Sequence, residues 1–197
     1  YNMDRFLIVL VNGLLSQAEL ITMLSKSGTN SQIIERNETF VILETENKDE
    51  LVKLGGVYKI GRIICESKSL EVILEKIRND GTLIMLDDKQ QWNVSYYSDE
   101  IVDMNIYNEL QSGLANLIKE NSRKTKFIRN NMESENFIEL AVDKERTGSV
   151  KILVGKNKEK YYVAENITSI KSSNFIDRDL NRPYQDSRIS LSPRTAR

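Results

Sequence analysis

The sequence contains no histidine, one cysteine and two prolines among its 197 residues. Without histidine there are no imidazole metal ligands and no Ser-His or Cys-His nucleophile pairs, and the side chain most used for proton transfer near neutral pH is missing. Cys65 has no second cysteine to pair with, and in the run Ile63-Ile64-Cys65 it is expected to be buried as a small hydrophobe. No apolar run approaches the roughly 20 residues of a membrane-spanning helix, and the longest, residues 6–11, is strand-sized. It lacks the charged flank and cleavage site of a secretory signal, so a cytoplasmic location with no membrane contact is expected. The nine glycines form neither Gly-x-Gly-x-x-Gly nor a phosphate-cradling loop. The acidic pair Asp87-Asp88 reads as turn chemistry with no further ligands grouped around it, and neither it nor Asp177/Asp179 is expected to carry acid–base or metal chemistry. Neither a catalytic residue nor a metal site is expected.

What is present is a soluble-type composition, 40% hydrophobic and 29% charged, with a net charge of −1. That balance conceals an asymmetry. Up to Ile118 there are 11 basic and 18 acidic residues, a net of −7; beyond it the counts are 17 and 11, a net of +6. A basic half suits a polyanion such as nucleic acid, although a solvated surface gives the same count.

Residues 5–11 read as a strand buried on both faces. The capping box Ser16-Gln17-Ala18-Glu19 is expected to open a helix, with Leu14, Ala18, Ile21 and Leu24 at helical spacing and Gly28 as a left-handed stop. Residues 32–35 and 39–45 form a hairpin around Arg36-Asn37-Glu38. A short helix over 49–54 stops at Gly55-Gly56, and 57–65 resumes as a strand. The order β-α-β-β-α-β over residues 1–66 is that of a ferredoxin-like unit, a fold that by itself says nothing about activity.

A second unit, α/β in character, covers residues 67–167. It is read as a helix over 70–78, strands over 82–86 and 92–97, and a long helix carrying Val102, Ile106, Leu110, Leu114, Leu117 and Ile118 as one core stripe. Short strands over 126–129, 150–154 and 161–164 follow, with a helix over 136–142. From residue 168 to 197 the periodicity collapses and both prolines appear, which marks an extended linker. The whole is α+β.

Lys119, Arg123, Lys124, Lys126 and Arg129 crowd the end of the long helix, and Lys151, Lys156, Lys158 and Lys160 follow on neighbouring strands. Helix-dipole complementarity accounts for only some of them. Arg123, Lys124, Lys126, Arg129, Lys151, Lys156 and Lys158 are the candidate phosphate contacts, with a solvated face as the alternative. Tyr161 and Tyr162 could stack on bases, but adjacent strand residues point to opposite faces, so at least one belongs to the core.

The tail carries Arg178-Asp179, Arg182-Pro183, Asp186-Ser187-Arg188, Leu191-Ser192-Pro193 and Ala196-Arg197 in that order. This resembles the segment joining the RNA-binding and catalytic parts of archaeal-type THUMP-containing tRNA guanosine-N2 methyltransferases, departing at Ser192, where Pro is frequent, and Thr195, where Leu is usual. The resemblance implies a ferredoxin-like unit, a THUMP unit for residues 67–167, and a linker leading to a methylase domain. That domain would carry a glycine-bearing S-adenosylmethionine loop and an Asp-Pro-Pro-Tyr-type tetrad, neither of which occurs here. S-adenosylmethionine is therefore expected in the missing domain and no cofactor in this chain. Tyr1-Asn2 ahead of Met3 fits a piece of a longer protein. By the same resemblance the THUMP unit would grip the acceptor stem and 3′ end of tRNA and place the target base in the methylase pocket.

Two alternatives stay open. THUMP units also precede thiouridine- and pseudouridine-forming domains, and this family has been compared with DNA methylases. A non-catalytic module that binds a ligand or a protein partner would suit the acidic first half.

Overall fold

The structure is a computed structural model and describes residues 3–28, 30–51, 54, 56–80, 91–100, 103–121, 125–127 and 149–169. The fold is α+β, with strands β1 (Asp4–Leu10), β2 (Ser31–Arg36), β3 (Phe40–Thr45), β4 (Val57–Ser67), β5 (Gln91–Ser98), β6 (Lys126–Phe127), β7 (Ser149–Lys156) and β8 (Tyr161–Ser169). The helices are α1 (Gly13–Ser27), α2 (Lys48–Leu51), α3 (Leu70–Asp80) and α4 (Met104–Asn121). Contacts divide the chain into two units, with cuts within β4 between Ile60 and Gly61 and within β8 between Asn166 and Ile167, which gives residues 57–60 and 167–169 to the first unit and 61–67 and 161–166 to the second.

The first unit has the strand order β2-β3-β1-β4. β3 pairs antiparallel with β1 from Asp4↔Thr45 to Val9↔Phe40, and antiparallel with β2, whose register shifts between Ile33 and Glu35. This is the βαββαβ arrangement the element order predicts. Phe6, Ile8 and Leu10 of β1 and Val41 and Leu43 of β3 join Leu20, Leu51, Leu54, Val57 and Ile60 in the core, with Met23 and Leu24 packed against it. Leu7, Val9, Phe40 and Ile42 of the alternate register are buried as well, so along β1 and β3 both faces of the sheet are closed to water, while β2 leaves Gln32, Ile34 and Arg36 exposed. The hairpin turns at Asn37, whose side-chain oxygen accepts from the backbone of Thr39 at 3.0 Å and Phe40 at 2.7 Å. That is the side-chain mimicry of a turn for which asparagine is favoured.

α1 departs from the expectation in two ways. It begins at Gly13, with Asn12 as N-cap accepting from the Leu15 N–H at 3.3 Å, and the Ser16 hydroxyl accepts from the Asn12 N–H at 3.0 Å. Ser16 therefore acts one turn inside the helix and not as its first residue. The inward stripe is Leu20, Met23 and Leu24, while Leu14, Ala18 and Ile21 face solvent. Gly28 ends the helix at φ 61°, the left-handed stop its position predicts.

The second unit is a mixed sheet in the order β4-β8-β7-β5-β6. β5 runs parallel to β7 through Gln91↔Ser149 to Ser98↔Lys156 and parallel to β6 at Gln91↔Lys126, while β8 returns antiparallel to β7. Ile73 and Ile77 of α3 and Leu110, Leu114, Leu117 and Ile118 of α4 cover Trp92, Val94, Ile152, Val154 and Val163. The core stripe read along the long helix is the one that packs, apart from Val102, which lies outside the described residues. Cys65 is buried in the same core. The strand expected over 82–86, the helix over 136–142 and the linker over 170–197 fall outside the described residues; Thr168 and Ser169 belong to β8. Among the described residues no helix is long and apolar enough to cross a membrane.

Candidate nucleic-acid interface

The candidate cations do not form one patch. Lys126 opens β6, beside Gln91 at the start of β5, and is exposed; Lys119, in the last turn of α4, is exposed as well. Lys156 pairs with Ser98 at the other end of β5. Seven residue steps of strand separate these two ends, roughly 23 Å at about 3.3 Å per residue. One phosphate cannot touch both groups.

Lys151 lies between them and is not on the surface. It is 5% exposed and sits on the sheet face that also buries Asn93, Ser95, Tyr97, Leu153 and Tyr162. Strand alternation predicts an exposed lysine between Val150 and Ile152 only where one sheet face is open to water. Here both are closed, and the expectation that Lys151 contacts phosphate does not hold for this buried side chain. The two tyrosines give the same result: Tyr162 and Tyr161 are both buried, which leaves neither ring free to stack on a base.

Around the β7–β8 turn the fold gathers Lys156, Lys158 and Lys160 with Lys68, a residue the sequence did not single out. The turn is built by the Asn157 side chain, whose oxygen accepts from the N–H groups of Glu159 at 2.9 Å and Lys160 at 2.7 Å, which places Lys158 exposed at the tip. Carboxylates meet three of the four ammonium groups, with Lys156–Glu100, Lys160–Glu66 and Lys68–Glu159 each at 3.6 Å. The Lys156 ammonium also lies 5.7 Å from the centroid of the Tyr161 ring. No local pattern flags Lys68, because its neighbour Glu159 is far away in the chain. These pairs are partly or largely exposed, so each contributes about 0–1 kcal/mol and an incoming phosphate can compete for the cation. Lys126 and Lys158 make no ion pair with a described residue. Arg123, Lys124 and Arg129 lie outside the described residues.

The carboxylates affect a neighbouring phenol. Tyr96, near the end of β5, titrates above its ordinary value of 10, raised first by burial and then by Tyr161, Glu100 and Asp103. Among the described residues no group of three or more acidic or cysteine side chains is arranged to hold a metal ion.

Neither a protein-family model nor a curated protein matches the sequence. Solved structures do match. TrmN from Thermus thermophilus superposes with a TM-score of 0.60 over 98% of this chain and 52% of its own, at 12% identity. The chain shares a fold with TrmN. PH1313 from Pyrococcus horikoshii Ot3 matches with a TM-score of 0.52 over 85% of this chain and 56% of its own, at 14% identity. The chain thus spans about half the length of TrmN and of PH1313. At such identities the likeness to TrmN is one of fold, and it assigns no role to the lysines described above.

Proposed function

We propose that this chain is the RNA-gripping portion of an S-adenosylmethionine-dependent tRNA guanine-N2 methyltransferase of archaeal THUMP type, working in the cytoplasm with methyl transfer carried by a separate catalytic domain. The observation that carries this reading is the sequence signature from Arg178 to Arg197, in a chain that shares its fold with TrmN over 98% of its length. The exposed cations at Lys126 and Lys158, at the two ends of the β5–β7 pair, support it. Arg123, Lys124 and Arg129 belong to the proposal through their place in the sequence beside Lys126. Backbone contacts from such residues would hold the acceptor stem and 3′ end of tRNA without reading bases, leaving base choice to the catalytic domain.

On this reading S-adenosylmethionine belongs to the separate catalytic domain; the described residues where β5 and β7 end are Ser98, Asp99, Glu100, Lys156, Asn157 and Lys158, and among them there is no glycine-rich loop. No step of methyl transfer is assigned to residues of this chain.

The test is tRNA binding by gel shift across a salt series. Binding is expected at low salt, with log affinity falling by about 0.7 per log unit of salt for each single-strand phosphate neutralised. Removing the 3′ end should weaken it. Absence of binding at low salt, or equal binding of a blunt-ended duplex, rules the proposal out.

A further inference from the structure

A surface helix normally turns its charged side to water. α1 instead turns a row of apolar residues to water. Its 15 residues include two charged side chains, Glu19 and Lys26, and the Glu19 carboxylate already accepts from the Gly56 N–H. Away from the sheet the helix shows Leu14 at 83% exposure, Leu15 at 57% and Ile21 at 43%, with exposed Val11 just ahead of it. Exposed Ala18 lies between Leu14 and Ile21 on the same side. Thr22 and Ser25, the polar residues of this side, donate their hydroxyls to the helix's own carbonyls, at 2.7 Å to Ala18 and 2.8 Å to Ile21. They can lose water without losing a hydrogen bond.

Those apolar side chains expose roughly 400 Å² together, within the range where the largest patch on a monomer is often functional. Two such faces brought together remove roughly 800 Å² of apolar surface. That is about the apolar content of an interface of roughly 1,200–1,600 Å² in total, the lower part of the range for stable complexes. The area therefore fits a second copy of the same helix. Charge agrees, because from Val11 to Ser25 this side carries none, and a twofold contact sets no like charges opposite one another. Ala18, small and central in the stripe, allows two helix axes to approach closely.

We infer that the chain self-associates through a twofold contact between two α1 helices, crossing at Ala18 and burying Leu14, Leu15 and Ile21 of both copies. This contact is independent of the RNA reading. Sedimentation equilibrium of the full chain should show a mean mass rising from 22.7 kDa toward twice that value as concentration increases. The double variant Leu14→Glu with Ile21→Glu, both exposed positions, should keep the wild-type circular dichroism and thermal midpoint yet stay at the monomer mass. With Cys65 buried, mild oxidation of an Ala18→Cys variant should give a disulfide-linked dimer. A wild-type chain that remains monomeric at about 100 µM overturns the inference. So does a double variant that dimerises as strongly as wild type, or an Ala18→Cys variant that does not cross-link while dimers are present.

Discussion

The Glu19 carboxylate accepts the backbone N–H of Gly56 at 2.7 Å, and the Gly56 carbonyl accepts in turn from the Val11 N–H at 2.9 Å. Together they tie α1 to the segment that enters β4. Glu19→Ala leaves a part-buried N–H without its acceptor, which costs about 1–3 kcal/mol. Glu19→Gln keeps an oxygen at that position and should recover most of the loss. Urea unfolding of the two variants checks this: equal destabilisation by alanine and glutamine would show that the hydrogen bond is not what Glu19 supplies.

Two glycines of the first unit should respond to substitution for different reasons. A Cβ at Gly56 would lie 2.7 Å from the Ser16 hydroxyl oxygen, 2.8 Å from a Glu19 carboxylate oxygen and 2.9 Å from the Ser16 Cβ. Ser16 is buried, so Gly56→Ala overpacks a closed site and should cost about 1–3 kcal/mol. At Gly28 there is open space, and the φ of 61° supplies the penalty instead. Gly28→Ala should cost about 1 kcal/mol, with part of it recovered by Gly28→Asn, since asparagine tolerates the left-handed region. Chemical denaturation of the three variants separates crowding from backbone strain.

Local chemistry was legible in the sequence, and long-range placement was not. The unbroken apolar run of β1 marked a strand buried on both faces, and the left-handed stop at Gly28 could be read from the residue alone. The Ser16–Glu19 pattern looked like a capping box because both residues do accept backbone N–H groups. The partner of Glu19, however, stands 37 residues away, where no local pattern reaches. On α1 two apolar rows coexist at helical spacing, and periodicity cannot say which one a sheet will cover. Lys151 was misplaced for a related reason: alternation along β7 fixes which face the side chain takes, but not whether that face is covered.

If the ion pair with Glu100 competes with phosphate for Lys156, removing the carboxylate should strengthen RNA binding. The pair is 3.6 Å long, with side chains 23% and 45% exposed, so its loss should change stability by less than about 1 kcal/mol. Glu100→Gln is therefore expected to fold normally and to bind tRNA more tightly. The log-affinity against log-salt slope should steepen by about 0.7 for one further single-strand phosphate contact. Lys158→Glu, at the tip of the same turn, should move affinity the other way. An unchanged slope in Glu100→Gln together with unchanged affinity in Lys158→Glu would remove this end of the unit from the interface and leave the Lys126 end to be tested by Lys126→Glu.

Tyr96 makes the second unit sensitive to alkali. Its ring packs edge-on to Tyr107, with centroids 6.0 Å apart, and the Tyr107 hydroxyl donates to the Val94 carbonyl at 3.3 Å. Burial first, then Tyr161, Glu100 and Asp103, hold the Tyr96 phenol protonated above its ordinary value of 10. An unfolded chain gives up this proton near that ordinary value while the folded chain keeps it, so above about pH 10 the folded state binds more protons and stability falls as pH rises. Below that value the two states carry the same proton and Tyr96 adds no pH dependence. Tyr96→Phe should therefore flatten the alkaline limb of the stability profile while leaving its slope at neutral pH unchanged. Urea midpoints measured from about pH 8 to pH 11 on both proteins decide the matter, and parallel alkaline limbs would mean that other groups govern the loss.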